Sequence, residues 1–428
     1  MHATHLRLQQ ADSAENSSRQ DSLIGLDAVR GWAAVAVVVL HACVPYSNPN
    51  MPGLTWATTD TPHAGLTALM WAIEIVIMPI FLVMAGFLAF RSMASRGPWS
   101  TLKSRTRRLG WPFLLAVVFL IPVDFYAWML GWLADGEITP RQMRSLKFAD
   151  GQDQNLWGFS HLWFLQYLIL YIAVLAVGWK WLLRTEPTRA LRFGIPVLFA
   201  IGVAVLSFRP EVVWGFQHAF FPVPSKWLYS GVAFGMGVLI AYADADLRGI
   251  KRFAMRAWCP SLILCGAATV LGIWVLNARP VVDGEMRSPF PVQAGASAKF
   301  CLAFLTVASA TTVSLSLVGL ACQFVRRLGP LTQRLATASF AIYLLHHPIL
   351  ALFHVAAKHG FPAVSPVVKM LVGTVIAVLV PAAMQWCFNQ VMMRRQARAA
   401  EKENVAGNSI LTMPASDFGV SEGRRKAG

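Results

Sequence analysis

The chain has 428 residues, 56% of them hydrophobic and 14% charged, with a formal net charge of +16 and a mean hydropathy of +0.52. A soluble domain carries about 25% charged residues, so this composition excludes an ordinary soluble fold and points to an all-α, polytopic integral membrane protein. The basic residues sit in short clusters between apolar runs, as the positive-inside rule requires, so they are read as topology and no nucleic-acid partner is expected.

Residues 1–22 are polar and mixed in charge, the composition of a disordered tail. No small-residue cleavage site follows an early apolar run, so no signal peptide is expected. Apolar runs follow at 27–45, 66–90, 109–133, 160–183, 191–208, 226–242, 256–277, 297–322, 335–357 and 364–391, each about long enough to span a bilayer. These predict about ten transmembrane helices in one domain over 23–391, followed by a basic, disordered tail over 392–428. The connections on the side of the two tails hold 27 of the 37 Lys and Arg, which predicts that both termini are cytoplasmic. The outer loops at 134–159 and 278–296 are rich in Asp, Gly and Pro and suit contact with an external ligand. None of the six cysteines belongs to a CxxC pair, so neither a disulfide framework nor a metal site is expected from them.

The first run, LDAVRGWAAVAVVVLHACV, carries Arg30 and His41 eleven residues apart. Three helical turns bring both to one face, about 16 Å apart along the axis, and place His41 near mid-bilayer. An ionisable group there is expensive and reads as functional; the plain alternative is a histidine hydrogen-bonded inside the bundle. In the second run, MPIFLVMAGFLAF, Pro79 predicts a kink and Gly86 a close helix crossing. Glu74, in the same run, either orients a catalytic histidine or satisfies a buried partner. Next comes LKSRTRRLGWP. Its Arg105 and Arg108, three apart and hence neighbours on a helix, are either ordinary inner-side charge or a grip for the phosphates of a cytosolic donor.

At 160–167 the chain reads SHLWFLQY. Trp163 and Tyr167 fit an interfacial aromatic belt, while His161 binds either a sugar hydroxyl or a loop carbonyl. The ninth run, ASFAIYLLHHPIL, brings Tyr343, His346 and His347 to the depth of His41. Two histidine-bearing helices at one depth favour acid/base chemistry, with His41 as general base and His346 or Tyr343 steadying an oxyanion. No HxxxH or CxxC spacing supplies a zinc ligand set, so no metal is expected.

These stretches resemble the membrane acyltransferase 3 family over about 23–390, and SHLWFL and IYLLHHP look most like its glucan biosynthesis protein C branch. Members of that branch transfer succinyl groups from succinyl-CoA to periplasmic glucans in the bacterial inner membrane. The resemblance implies that Arg30 and His41 form the core of the active site, that Arg105 and Arg108 bind the donor, and that His161 and His346 match recurring family histidines. It departs at Ala85, where the family commonly has serine, which puts any hydrogen bond there in doubt. The expectation is a multi-pass O-acyltransferase of the bacterial inner membrane. Its donor is acyl-CoA, succinyl-CoA or acetyl-CoA, with no permanently bound cofactor; its acceptor is a glycan hydroxyl. The rival readings are a secondary transporter of an anion or sugar with a histidine proton relay, or a membrane sensor or scaffold. No repeated halves of the kind common in transporters are found.

Overall fold

Every predicted apolar run is a helix. The computed structural model describes residues 2–148, 156–277 and 295–411, with side chains over 23–396 of these. The stretches 149–155 and 278–294 of the two outer loops, and 412–428 of the last tail, lie outside the described residues.

The chain divides into two compact units, Met1–Ala382 and Ala383–Gly428. The first begins with α1 (His2–Cys43) and α2 (Ala64–Arg96), followed by α3 (Pro98–Leu115), which runs through a π-turn over Ala116–Leu120 into α4 (Ile121–Ala134). A short α5 (Pro140–Ser145), α6 (Trp163–Leu182), α7 (Pro187–Phe208), a single turn α8 (Glu211–Trp214) and α9 (Pro224–Ala243) follow. Then come α10 (Arg248–Asn277), α11 (Ala296–Phe324), α12 (Pro330–Gly360) and the start of α13 (Pro366–Leu411). The second unit holds the remainder of α13, where Trp386 and Phe388 are exposed.

Among the described residues nine helices are long and apolar enough to cross a membrane. The tenth predicted run is α9, which falls outside that set because Lys226 and three glycines lower its hydropathy. It is a helix nonetheless, packed against α2 and α7. α2 is the hub: it touches α1, α3, α6, α9, α10 and α11, and with α11 it is the most deeply buried of the spans, while α7 is the least. The large exposed side chains on the outer helices, Trp181, Val270, Ile263 and Phe119 among them, are those a lipid-facing surface requires, since lipid rather than water surrounds them.

The α2–α9 crossing explains Gly86. A methyl group there would overlap the carbonyl oxygen of Phe234, and one at Gly237 of α9 would overlap that of Val83, so each glycine receives the other helix's backbone. Such close approach is how membrane helices gain packing where burial from water is no driving force. The expected close crossing is present, with Ala85 half-buried beside it. Gly86→Val should cost about 1–3 kcal/mol through overpacking, read as a lower unfolding temperature of the detergent-solubilised protein.

A clasp closes the loop between α1 and α2 over the bundle. Asp60 pairs with Lys369 at 2.8 Å; Asp135 receives Lys358 at 2.8 Å, Thr58 at 2.6 Å and His359 at 3.0 Å. Partial burial alone would raise both carboxyls, but these hydrogen bonds and the lysine charges outweigh it and hold both below the ordinary range. The indole of Trp132 donates to the Trp56 carbonyl at 3.0 Å, fixing Trp56 as a roof over the centre of the bundle.

Candidate active site

Beneath that roof α1, α2, α9, α12 and the entry to α6 line a narrow cavity of about 60 Å³, room for a few waters or the reacting end of a substrate. His41, His161, Tyr343, His347, Glu74 and Trp163 all line it, so six of the ten residues singled out from the sequence share one space.

His41 reaches it from α1. Its Nδ1 lies 2.9 Å from the Val37 carbonyl one turn back. A carbonyl only accepts, so Nδ1 carries the proton and Nε2 keeps a free lone pair. The ring contacts His346 (centroids 5.0 Å), His347 (5.1 Å) and Trp56 (5.9 Å, stacked). It is therefore set in a protein-lined cavity rather than against lipid.

His161 is presented by Ser160, whose φ of +48° is left-handed, a conformation that costs a non-glycine residue of order 1–3 kcal/mol. Its Nε2 donates to the Leu344 carbonyl at 3.1 Å. That carbonyl is available because Pro348, four residues on, has no N–H to return to it. The HHP motif thus does two things: it carries His347 and it frees the acceptor that anchors His161. Of the two partners weighed for His161, a sugar hydroxyl or a loop carbonyl, Nε2 meets a carbonyl, one that belongs to helix α12.

Neither expected oxyanion donor has a hydrogen to offer. The Tyr343 hydroxyl donates to the His161 carbonyl at 2.6 Å, so it braces the backbone. His346 is fully buried and not among the cavity-lining residues; its Nδ1–H goes to the Ile342 carbonyl at 2.9 Å, leaving Nε2 as an unpartnered lone pair. A neutral ring in that tautomer accepts a proton and cannot donate one.

The carboxylate among the histidines is Asp124, absent from the sequence reading. The π-turn inserts one extra residue per turn and rotates the helix beyond it, and Asp124, three residues into α4, points inward with no exposure. Its Oδ2 lies 3.3 Å from His347 Nδ1 and 3.5 Å from His161 Nδ1, and neither carboxylate oxygen has a hydrogen-bond partner. Glu74 has no contact with a histidine among the described residues; it shares its wall with Tyr229 and Lys226. Lys226 is buried, its Nζ 4.0 Å from the Trp163 ring centre and 4.2 Å from that of Phe216, a cation–π cage. The expectation of no metal rested on spacing within single helices. The ligand atoms of Asp124, His161 and His347 come from three separate elements and lie within 4.8 Å of one another, an arrangement no spacing reveals.

The arginines are elsewhere. Arg30 donates to the Ala336 carbonyl at 3.2 Å and pairs with Asp27 at 3.1 Å, tying α1 to α12. Gly97, at φ +84°, turns α2 into α3, and hydrogen bonds from Thr101 and Arg96 to Ser92 pin that hairpin. Arg105 stands within reach of the like charges of Arg96 and Arg108. Among the described residues none of the three pairs with a carboxylate, so α3 presents uncompensated positive charge. No contact joins Arg30 to Arg105 or Arg108 among the described residues; they belong to different helix pairs.

The family model described as an acyltransferase domain matches residues 23–386. No curated protein and no solved structure matches the chain. The family match runs from the first spanning helix into the last and takes in every residue gathered at the cavity, so the chain belongs to the acyltransferase 3 family and is a multi-pass membrane acyltransferase.

Proposed function

We propose that the protein is an O-acyltransferase of the bacterial inner membrane that moves an acyl group from cytosolic acyl-CoA to a hydroxyl of a periplasmic or cell-surface glycan, osmoregulated periplasmic glucan first among them. The observation that carries this reading is the free Nε2 of His41, held in one tautomer by the Val37 carbonyl and facing the cavity.

In this mechanism the coenzyme A phosphates rest on the arginines of α3, and the acyl-pantetheine arm threads toward the cavity. His41 Nε2 takes the proton of the acceptor hydroxyl as its oxygen attacks the thioester carbonyl carbon. The tetrahedral adduct then expels the thiolate, the C–S bond breaks as the ester C–O bond stands, and the imidazolium returns its proton to sulfur. An imidazole nitrogen that takes up a proton and gives it back suits both transfers. Labelled succinyl-CoA or acetyl-CoA, periplasmic glucan and the purified protein test the reading: label should pass to ester-linked glucan and free thiol should appear in equal amount. Thioester left intact with every glycan offered would exclude it.

Lys226 supports succinyl over acetyl as the group carried. Its caged ammonium lines the cavity wall, with Glu74 within electrostatic reach but beyond 4.0 Å, which leaves room for the distal carboxylate of a dicarboxylic acyl group. A charge-assisted hydrogen bond contributes about 1.5–3 kcal/mol. Lys226→Met should therefore lower kcat/KM for succinyl-CoA by about tenfold or more and leave acetyl-CoA nearly unchanged, measured side by side.

A further inference from the structure

Asp124 presents a physical problem that the acid/base residues leave open. Its carboxylate has no exposure, and neither oxygen accepts a hydrogen bond. A carboxylate so placed is strongly unfavourable unless positive charge meets it. The groups in ion-pair range are His347 Nδ1 at 3.3 Å and His161 Nδ1 at 3.5 Å. The His161 proton sits on Nε2, spent on the Leu344 carbonyl, so in the neutral ring Nδ1 turns a lone pair toward the carboxylate, touched otherwise by Ser160 Oγ at 3.4 Å. His347 Nδ1 has no hydrogen-bond partner at all. Three buried donor atoms thus converge on one gap.

We infer that Asp124, His161 and His347 form a binding site for a divalent transition-metal cation, zinc foremost. Tetrahedral zinc with bonds of about 2.0–2.2 Å holds its ligand atoms about 3.3–3.6 Å apart, and two of the three separations, 3.3 and 3.5 Å, have that length. They are too long for charge-assisted hydrogen bonds, which run about 2.7–2.9 Å. The third separation, within 4.8 Å, is the edge the cation draws in. Two imidazoles and one carboxylate suit zinc and its first-row neighbours, whereas magnesium and calcium favour all-oxygen shells. The Leu344 carbonyl on His161 Nε2 is the outer-shell partner that a metal-bound histidine commonly has. His161, His347 and Ser160 all line the cavity, so the fourth position opens onto it. A cation there would stabilise the oxyanion that Tyr343 and His346 cannot. That role rests on the acyl-transfer reading above; the binding itself does not.

Zinc titration of the full-length, chelator-stripped protein in detergent, followed by desalting and elemental analysis, tests the site. One saturable equivalent is expected for the wild type. Asp124→Ala and His347→Ala should weaken binding at least tenfold, and His41→Ala should bind zinc as the wild type does. Cobalt in place of zinc should give the visible absorption of a tetrahedral centre. Asp124→Asn and His161→Gln, closer in shape, replace any alanine variant that does not elute as folded protein. A folded wild type that retains no equivalent, as it would with a shared proton in the gap, overturns the inference, and so do ligand variants that bind zinc equally well. Full transfer by metal-stripped protein would sink the cation's role alone, whereas zinc binding without transfer of any acyl group would sink the enzymatic reading alone.

Discussion

Replacing His41 with alanine should abolish acyl transfer, a loss of about 10²–10⁴ in kcat if general-base catalysis alone disappears, with the protein still inserted and folded. The expectation of an intact fold comes from the surroundings of the ring. Val37, Val38 and Leu40 carry the packing of this stretch of α1, and among the described residues the one hydrogen bond of the ring is to its own helix. No partner on another helix, among the described residues, is orphaned by the change. His41→Gln separates base chemistry from cavity shape, since glutamine fills much of the same space without a basic ring nitrogen. Both variants should therefore fail in transfer while binding acyl-CoA with unaltered affinity, measured by single-turnover label transfer beside equilibrium binding of the donor. Retained transfer by either would remove His41 from the reaction.

The histidines of α1 and α12 were legible because an ionisable group in an apolar run is a signal by itself, and equal depth on two helices implies that they meet. Asp124 carries the same signal, one acidic residue in IPVDFYAWML, yet its meaning depends on which way α4 faces, and a π-turn sets that. Lys226 stands at the boundary between a connection and a helix, where a charge reads as topology; only the packing of Trp163 and Phe216 around it turns it into part of the cavity. The tautomers of His41, His161 and His346 follow from which carbonyl each ring meets. Pro348 announced one free carbonyl in the sequence, but the histidine that would find it, far earlier in the chain, belongs to tertiary structure. The oxyanion roles foreseen for Tyr343 and His346 failed for that reason: residue type and depth were right, and the hydrogen each needed was already committed.

Removing both charges from the α3 arginines, as Arg105→Gln with Arg108→Gln, should raise KM for acyl-CoA by about 100-fold or more with little change in kcat. Each charge-assisted contact to phosphate contributes about 1.5–3 kcal/mol, and loss of binding shared by ground and transition states appears in KM. The arginines are well suited to an anion because Arg105 already bears the like charges of Arg96 and Arg108, so a phosphate relieves repulsion as well as gaining attraction. Salt discriminates this from a folding defect: wild-type KM should climb with ionic strength as screening shortens the reach of exposed charge, and the double variant should be nearly flat. Acyl-pantetheine, which lacks the nucleotide phosphates, supplies the second arm. Wild type should strongly prefer acyl-CoA to it, and the variant should treat the two alike, because the part of the donor that the arginines hold is the part the shorter thioester lacks. A double variant that keeps the wild-type preference would assign these arginines to topology alone.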